Sequence, residues 1–179
     1  MQSGPDDASP LDGKSLIRQK VKQLIITGGR QPEGTSSNFS KEDAEKFTKP
    51  VIDEWPGRIV FVGNDVGHDI QTSWRSNADK TKLSPARKAY GIFYKGDDLK
   101  PHHSADQAGV LFAIKGVGDV YELVETGHQT CDAEGKTKWV DEEIPGKDHA
   151  YVRRREGTKE EIAEQIEALM TQPRKEGRR

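Results

Sequence analysis

The chain lacks the features that mark several classes of protein. Its 179 residues contain a single cysteine, Cys131, so neither an internal disulfide framework nor a cysteine-rich zinc site can form. No apolar run reaches the length that a transmembrane helix needs. The first residues show no basic stretch followed by an apolar one, which argues against a secretory signal peptide. These absences predict a cytoplasmic protein without a membrane partner.

An excess of charge of one sign is also lacking. The 28 lysines and arginines nearly balance the 30 aspartates and glutamates, and the two kinds are mixed along the chain. A nucleic-acid-binding domain usually carries a clustered basic surface, so we expect no nucleic acid partner. The basic residues 174–179 are few and are interpreted as a solvated tail.

Hydrophobic residues make up only 32% of the chain, the same share as the charged residues, so a small core is expected. The length still suits one domain with a core of its own. Residues 1–13 are acidic and contain prolines and glycines, which predicts a loop or a disordered lead. The domain is therefore expected to span residues 14–173.

Two short apolar runs predict strands that are buried on both faces, as in a parallel sheet. The first, Leu24–Thr27, ends at a pair of glycines, and the second, residues 58–63, ends at Asn64-Asp65. Helices are predicted around them, at residues 15–22, from residue 40 and at residues 84–94. This alternation predicts an α/β fold with a mainly parallel sheet flanked by helices.

The helix predicted from Ser40 carries clear local signals. Ser40 opens the capping pattern S-K-E-D, and Pro50 is expected to kink or split the helix. The predicted buried stripe consists of Ala44, Phe47 and Val51.

The last third of the chain changes character. Residues 121–131 and 136–142 have the composition of strands around a turn at residues 132–135, which predicts a small hairpin. A short strand is predicted at residues 150–153. Thr158 then opens the capping box T-K-E-E of a final helix.

Polar side chains cluster at three places next to predicted strands or helices. These are Ser36-Ser37-Asn38, Asn64-Asp65 and Ser104-Ala105-Asp106. Each fits a helix cap or a turn as well as it fits a ligand site. Because α/β folds bind ligands at the carboxyl ends of their strands, the three together predict an oxygen-rich site at strand ends of one sheet.

The five histidines include no pair at the spacing of a zinc-binding helix. His102 and His103 are adjacent, so in an extended segment their side chains point to opposite faces. A zinc site there would need partners from elsewhere, which leaves His103 a weak candidate. The nucleophile-elbow and phosphate-loop patterns are both missing from the sequence.

Several segments occur in an order that is similar to one known family. They are K-V-K-Q-L-I-I-T-G-G (20–29), I-V-F-V-G-N-D-V-G (59–67), S-P-A-R-K-A-Y-G-I-F (84–93) and S-A-D-Q-A-G-V-L-F-A-I-K-G (104–116). In this order, with a helix that ends in E-W-P (54–56), the chain resembles the inosine–uridine-preferring nucleoside hydrolases. The resemblance extends over residues 9–173.

The resemblance implies calcium-assisted hydrolysis of the N-glycosidic bond of a ribonucleoside or a related riboside. In that family calcium holds the ribose hydroxyls and a water, which an aspartate deprotonates. The resemblance implies Asp106 as a metal ligand and Asn38 as a ribose contact. Thr27 stands where the family has methionine before the two glycines, and Asp65 follows the next strand, so both are weaker candidates.

The chain also departs from the family pattern. The cluster D-x-D-x-x-x-D-D, which supplies most metal ligands and the base, is absent, so no catalytic residue is predicted and the fold is expected to be incomplete at its N-terminus. Ser36 replaces a loop glutamate, and Ala105 replaces a histidine or tryptophan. Two alternatives follow. Either a complementing N-terminal chain or an upstream exon or frame supplies the missing half of the enzyme, or the chain is a truncated non-catalytic relative that acts as a binding or interaction module. An incomplete gene product is a third interpretation, and the partners expected are a small-molecule riboside and either a complementing chain or a second copy in a homo-oligomer.

Overall fold

A computed structural model of the chain describes residues 1–39, 43–73, 84–96 and 98–171. Two compact units make up the structure. The first unit consists of Met1–Val66 and Tyr121–Arg153. The second consists of Gly67–Val120 and the chain from Arg154 onwards. No helix within the described ranges is long and apolar enough to cross a membrane.

The elements of the first unit follow the chain in two stretches. The first stretch holds α1 (Gly13–Lys20), β1 (Leu24–Thr27), β2 (Glu33–Gly34), a π-helical turn (Ala44–Thr48), α2 (Lys49–Glu54), β3 (Arg58–Val62) and the start of α3 (Asn64–Gly67). The second unit contributes β4 (Gln71–Thr72), α4 (Pro85–Tyr94), β5 (His102–His103) and α5 (Ala105–Lys115). The chain then forms β6 (Tyr121–Val124), β7 (His128–Cys131), β8 (Thr137–Val140) and β9 (Asp148–Arg154), before α6 (Lys159–Thr171) ends the second unit.

A four-stranded sheet in the order β1-β3-β9-β6 forms the centre of the first unit. β1 runs parallel to β3 with Leu24 opposite Ile59, and β3 runs parallel to β9 with Ile59 opposite His149. From Ile59 to Val62 every residue of β3 is buried, as expected of a strand covered on both faces. The coarse prediction, a mixed α/β structure with a mostly parallel sheet flanked by helices, is confirmed.

The predicted hairpin is also present. β7 and β8 pair antiparallel around the turn at residues 132–135, where the N–H of Asp132 donates to the carbonyl of Lys136 at 3.0 Å. β2 adds a third strand to this small sheet by pairing with β8. β2 was not predicted from the sequence, because a strand of two residues leaves no periodic signal.

The helix predicted from Ser40 differs from expectation in its buried face. Ser40 lies outside the described residues, Ala44 is buried as predicted, and Phe47 is 55% exposed. A π-helical turn takes up more residues than an α-helical turn, so it rotates Phe47 away from the stripe predicted from a period of 3.6. The ordinary helix α2 begins one residue before Pro50, in agreement with the predicted split.

One hydrophobic cluster holds the first unit together. Its buried members are Phe39, Ile52, Ile59, Phe61, Cys131, Trp139 and Tyr151. The Trp139 and Tyr151 rings meet edge to face with centroids 4.8 Å apart. The cluster thus anchors the strands whose ends carry the candidate site.

The second unit is built from α4, α5 and α6 with a two-stranded antiparallel sheet of β4 and β5. Ser84 caps α4 as predicted, because its Oγ accepts a hydrogen bond from the N–H of Arg87 at 3.1 Å. The capping box predicted at Thr158 takes another form. The Thr158 hydroxyl donates to the carbonyl of Arg155 at 2.7 Å, and Glu161 accepts from Gln165.

Candidate functional site

The carboxyl ends of β1 and β3 bring two predicted residues to one edge of the sheet. Thr27 is the last residue of β1, and Asp65 follows β3 in the first turn of α3. Two backbone hydrogen bonds join the loops that leave these strands: Gly28 N–H donates to Val62 O at 3.2 Å, and Asn64 N–H donates to Gly29 O at 2.9 Å. The parallel arrangement therefore creates a shared rim, which is where α/β folds bind ligands.

Asn38 belongs to the same rim. Its Nδ2 donates a hydrogen bond to the carbonyl of Thr27 at 3.1 Å, so the side chain completes the outer edge of β1. Ser36 supports this loop, since its Oγ accepts from the N–H of Gly29 at 3.1 Å and from the N–H of Asn38 at 3.2 Å. The exposed Asn38 keeps its Oδ1 free of hydrogen bonds to described residues, and this oxygen can accept one from a ligand.

The two glycines after β1 allow the loop that carries Asn38 to pack closely against the end of this strand. A Cβ on Gly28 would lie 2.8 Å from the Phe39 ring, and a Cβ on Gly29 would lie 2.9 Å from the Thr137 hydroxyl. Gly29 also has a φ of +71°, which L side chains rarely adopt. The Gly-Gly pair therefore lets the loop with Asn38 fold back onto the end of β1.

Asp65 is held by a residue that the sequence did not single out. The N–H of Gln31 donates to Asp65 Oδ1 at 2.9 Å, and the buried Gln31 side chain donates through Nε2 to Gln129 Oε1 at 2.7 Å. Gln129 in turn donates to the carbonyl of Thr130, which orients its own amide. No local pattern marks Gln31, because its partners come from distant parts of the chain.

Asp106 follows a strand of a different sheet from the one that was expected. It lies in the second unit and follows β5, a strand of the antiparallel pair, so the expected meeting of all three polar places at one sheet is wrong. Asp106 is exposed in the first turn of α5 and lines a recess whose walls are Val110, Leu111, Ile166, Leu169 and Met170. The signature of a helix N-terminus is local and does not reveal which sheet precedes it.

The residue that occupies the cap position of α5 is Ser104, whose side chain makes no capping bond. Its Oγ instead shares a hydrogen bond of 2.6 Å with the Thr72 hydroxyl of β4. Asp106, placed two residues further on, can complement the positive end of the helix dipole. The role of Asp106 as a metal ligand stays a prediction.

His103 takes part in a stack of imidazoles. Its ring lies 4.6 Å from that of His102 and 5.7 Å from that of His68 between centroids, at small interplanar angles. His102 shares a hydrogen bond of 3.0 Å with the Tyr94 hydroxyl, and desolvation together with the neighbouring His103 lowers the pKa of His102. Nearly parallel rings do not direct their lone pairs to one point, so this stack does not have the geometry of a metal site.

Calcium does not fit the described residues. Among them no group of three or more histidine, cysteine, aspartate or glutamate side chains could hold a metal ion. Calcium takes six to eight oxygen ligands, usually several of them carboxylates. The exposed Asp106 supplies one carboxylate in an otherwise apolar recess.

Cys131 has the environment of a structural thiol. It is buried in the core cluster, and burial, reinforced by the charges of Asp132 and Asp53, raises the pKa of its thiol to about 11. Only the thiolate is an effective nucleophile. Cys131 is therefore a poor nucleophile near neutral pH.

No protein-family model matches the chain, and a search of curated proteins finds no match. Two places described above could take a ligand: the rim at the carboxyl ends of two parallel strands and the recess beside Asp106. The best-defined of these is the rim at the carboxyl ends of β1 and β3, with Thr27, Asn38 and Asp65.

Proposed function

We propose that the chain is a nucleoside-hydrolase-like protein that binds the ribose part of a riboside at the carboxyl ends of β1 and β3. The observation that carries this proposal is the hydrogen bond from Asn38 Nδ2 to the carbonyl of Thr27, which directs an amide side chain along this rim. The position of Asn38 is also the one at which the resemblance implies a ribose contact.

The acceptors at this rim suit the hydroxyls of a sugar. Asn38 keeps Oδ1, and Asp65, whose Oδ1 accepts from Gln31, keeps Oδ2 without a partner among the described residues. A vicinal diol carries two O–H donors and two acceptors, so it can donate to both side chains without bringing a charge to the site. Exposed carboxylate and amide oxygens thus favour a polyol over an anionic ligand.

We further propose that hydrolysis needs carboxylates from a second polypeptide. Asp65 brings a single carboxylate to this rim, and calcium takes six to eight oxygen ligands, so the described residues of the rim do not complete a calcium site. The chain alone is therefore proposed to bind a riboside without cleaving it.

Asn38→Ala is expected to weaken binding of D-ribose and of inosine about tenfold, because the variant loses the amide and its hydrogen bond. Isothermal titration calorimetry on the purified chain measures the effect. Ser37→Ala is the matched control, since Ser37 is the exposed neighbour in the same loop and should leave the affinity unchanged. Equal affinities for the wild type and Asn38→Ala would refute the ribose site.

The purified chain is expected to release no base from inosine or uridine in the presence of calcium. Chromatographic detection of free hypoxanthine and uracil over long incubations tests this. Asp106→Asn serves as the comparison, because it removes the one implied metal ligand. Calcium-dependent release that Asp106→Asn abolishes would show that the chain is an enzyme by itself.

A further inference from the structure

A polar recess of about 450 Å³ lies in the first unit, next to the start of β9. Its lining includes Glu125, Glu143, Ile144, Lys147, Asp148 and His149. Because β9 runs parallel to β3 with His149 opposite Ile59, the recess lies at the amino end of the sheet. It is therefore separate from the rim that carries Asn38, which lies at the carboxyl end.

His149 brings a fixed hydrogen-bond donor to this recess. The residue is only 3% exposed, and its Nδ1 accepts a hydrogen bond of 3.2 Å from the backbone N–H of Gln129. A backbone N–H can only donate, so Nδ1 must carry the lone pair and Nε2 the proton. No described residue accepts a hydrogen bond from this Nε2–H.

Burial keeps the His149 ring neutral. Burial lowers the pKa of His149 to about 4, and the positive charges of Lys147 and His128 act in the same direction, while Asp148 and Asp53 oppose them. Over the physiological range the side chain is therefore a neutral donor at Nε2. A protonated Nε2 cannot ligate a metal ion.

The acidic residues that line the recess differ in whether they already form ion pairs. Arg58 pairs with Asp148 at 2.7 Å and also with Glu125, and Lys147 lies 3.4 Å from Asp53. Glu143 has no hydrogen bond or ion pair with the described residues. The recess thus offers one buried donor at His149 and one uncommitted acceptor at Glu143.

The rim of the recess is anchored to the fold. The buried His128 donates from Nδ1 to the carbonyl of Glu142 at 2.7 Å, and the N–H of Lys147 closes a turn onto Ile144 O at 3.1 Å. These contacts hold the segment that carries Glu143 over the start of β9. The donor and the acceptor therefore line the same recess.

We propose that this recess binds a small neutral polyol, one of whose hydroxyls accepts from His149 Nε2–H while another donates to Glu143. A hydroxyl group both accepts and donates, so neighbouring hydroxyls on one molecule match this pair of groups. An anion would meet the carboxylates of Glu125, Glu143 and Asp148. A simple ammonium ion has no acceptor for the imidazole N–H.

The test uses myo-inositol as the probe and nuclear magnetic resonance of the imidazole nitrogens as the readout. Addition of the probe is expected to shift the Nε2–H signal of His149 and to leave its tautomer unchanged. His149→Asn keeps an acceptor for the Gln129 N–H but removes the Nε2 donor, so its affinity should be about tenfold lower. Asn38→Ala should leave this site unchanged, which separates it from the ribose site proposed above.

Glu143→Gln provides a second variant at an exposed position, where the fold is not at risk. It is expected to weaken binding several-fold, whereas the neighbouring exposed acid in Glu142→Gln should have no effect. Absence of a shift at His149 on addition of myo-inositol would overturn the proposal. Equal effects of Glu142→Gln and Glu143→Gln, or binding of ethanolamine where myo-inositol does not bind, would overturn it as well.

Discussion

Between pH 6.5 and pH 4 the first unit is expected to lose about 3 kcal/mol of its free energy of unfolding through His149 alone. In the unfolded chain this histidine has its ordinary pKa of 6.5, and in the folded protein burial lowers the pKa to about 4. Above pH 6.5 the ring is neutral in both states, so it adds no pH dependence. As the pH falls below 6.5 the unfolded state binds a proton that the folded state does not, and the folded state is destabilised.

Urea unfolding followed by circular dichroism at a series of pH values measures this loss. His149→Asn is the comparison variant, because asparagine does not titrate and can still accept from the Gln129 N–H. Its stability should vary much less than that of the wild type between pH 6.5 and pH 4.5. Parallel curves for the two proteins would contradict the assignment.

Other groups contribute to acid sensitivity in different ranges. Asp53 and Asp69 have lowered pKa values because of hydrogen bonds and ion pairs with Lys49 and Arg154, so their stabilising effect is lost only near and below their ordinary pKa. Desolvation also lowers the pKa of the partly exposed His102, so this residue adds to the loss of stability below pH 6.5. Only the difference between wild type and His149→Asn therefore isolates His149.

The strands of the parallel sheet could be predicted from the sequence because their signal is local. Leu24–Thr27 and the run that begins at Arg58 are continuous apolar segments closed by glycine or by Asn-Asp, and both are strands with almost the expected bounds. Thr27 and Asp65 reached one rim because parallel neighbours end at the same side. The continuous apolar runs predicted a parallel sheet, and the parallel pairing of β1 and β3 places Thr27 and Asp65 at the same edge.

The remaining site residues could not be predicted because their roles depend on distant partners. Gln31 matters through Asp65 and Gln129, and His149 matters through the N–H of Gln129, so neither has a signature in its own segment. Asp106 shows the opposite case. Its local signature was real, and the sheet that precedes it differed from the one expected.

The two proposed sites share one physical origin. The segments before and after the strands of one parallel sheet carry them, with Asn38 at the carboxyl end of β1 and His149 at the amino end of β9. Each site depends on a small number of supporting residues. Gly28 and Gly29 allow the loop with Asn38 to approach β1, and the backbone N–H of Gln129 fixes the ring of His149. Substitutions at those supports should therefore have large effects.

Gly127→Ala is expected to destabilise the first unit by about 3 to 4 kcal/mol. Gly127 has a φ of +119°, and a Cβ there would lie 2.3 Å from the carbonyl of Val140 and 2.8 Å from Trp139 Nε1. The strand β8 would have to move away, which would break the hydrogen bond from Trp139 Nε1 to Thr126 O and disturb its contact with Tyr151.

Substitutions at two further glycines distinguish steric overlap from backbone strain as causes of this destabilisation. Gly146 has a φ of +89°, and a methyl group added there would meet nothing within 4 Å. Gly146→Ala should therefore lower the free energy of unfolding by only about 1 kcal/mol, through backbone strain. Gly4→Ala meets nothing within 4 Å and should be close to neutral. The three free energies of unfolding, from urea titrations at pH 7.5, should therefore fall in the order Gly4→Ala, Gly146→Ala and Gly127→Ala. If Gly127→Ala were as stable as Gly146→Ala, the close contact between residue 127 and β8 would not be what requires glycine at this position.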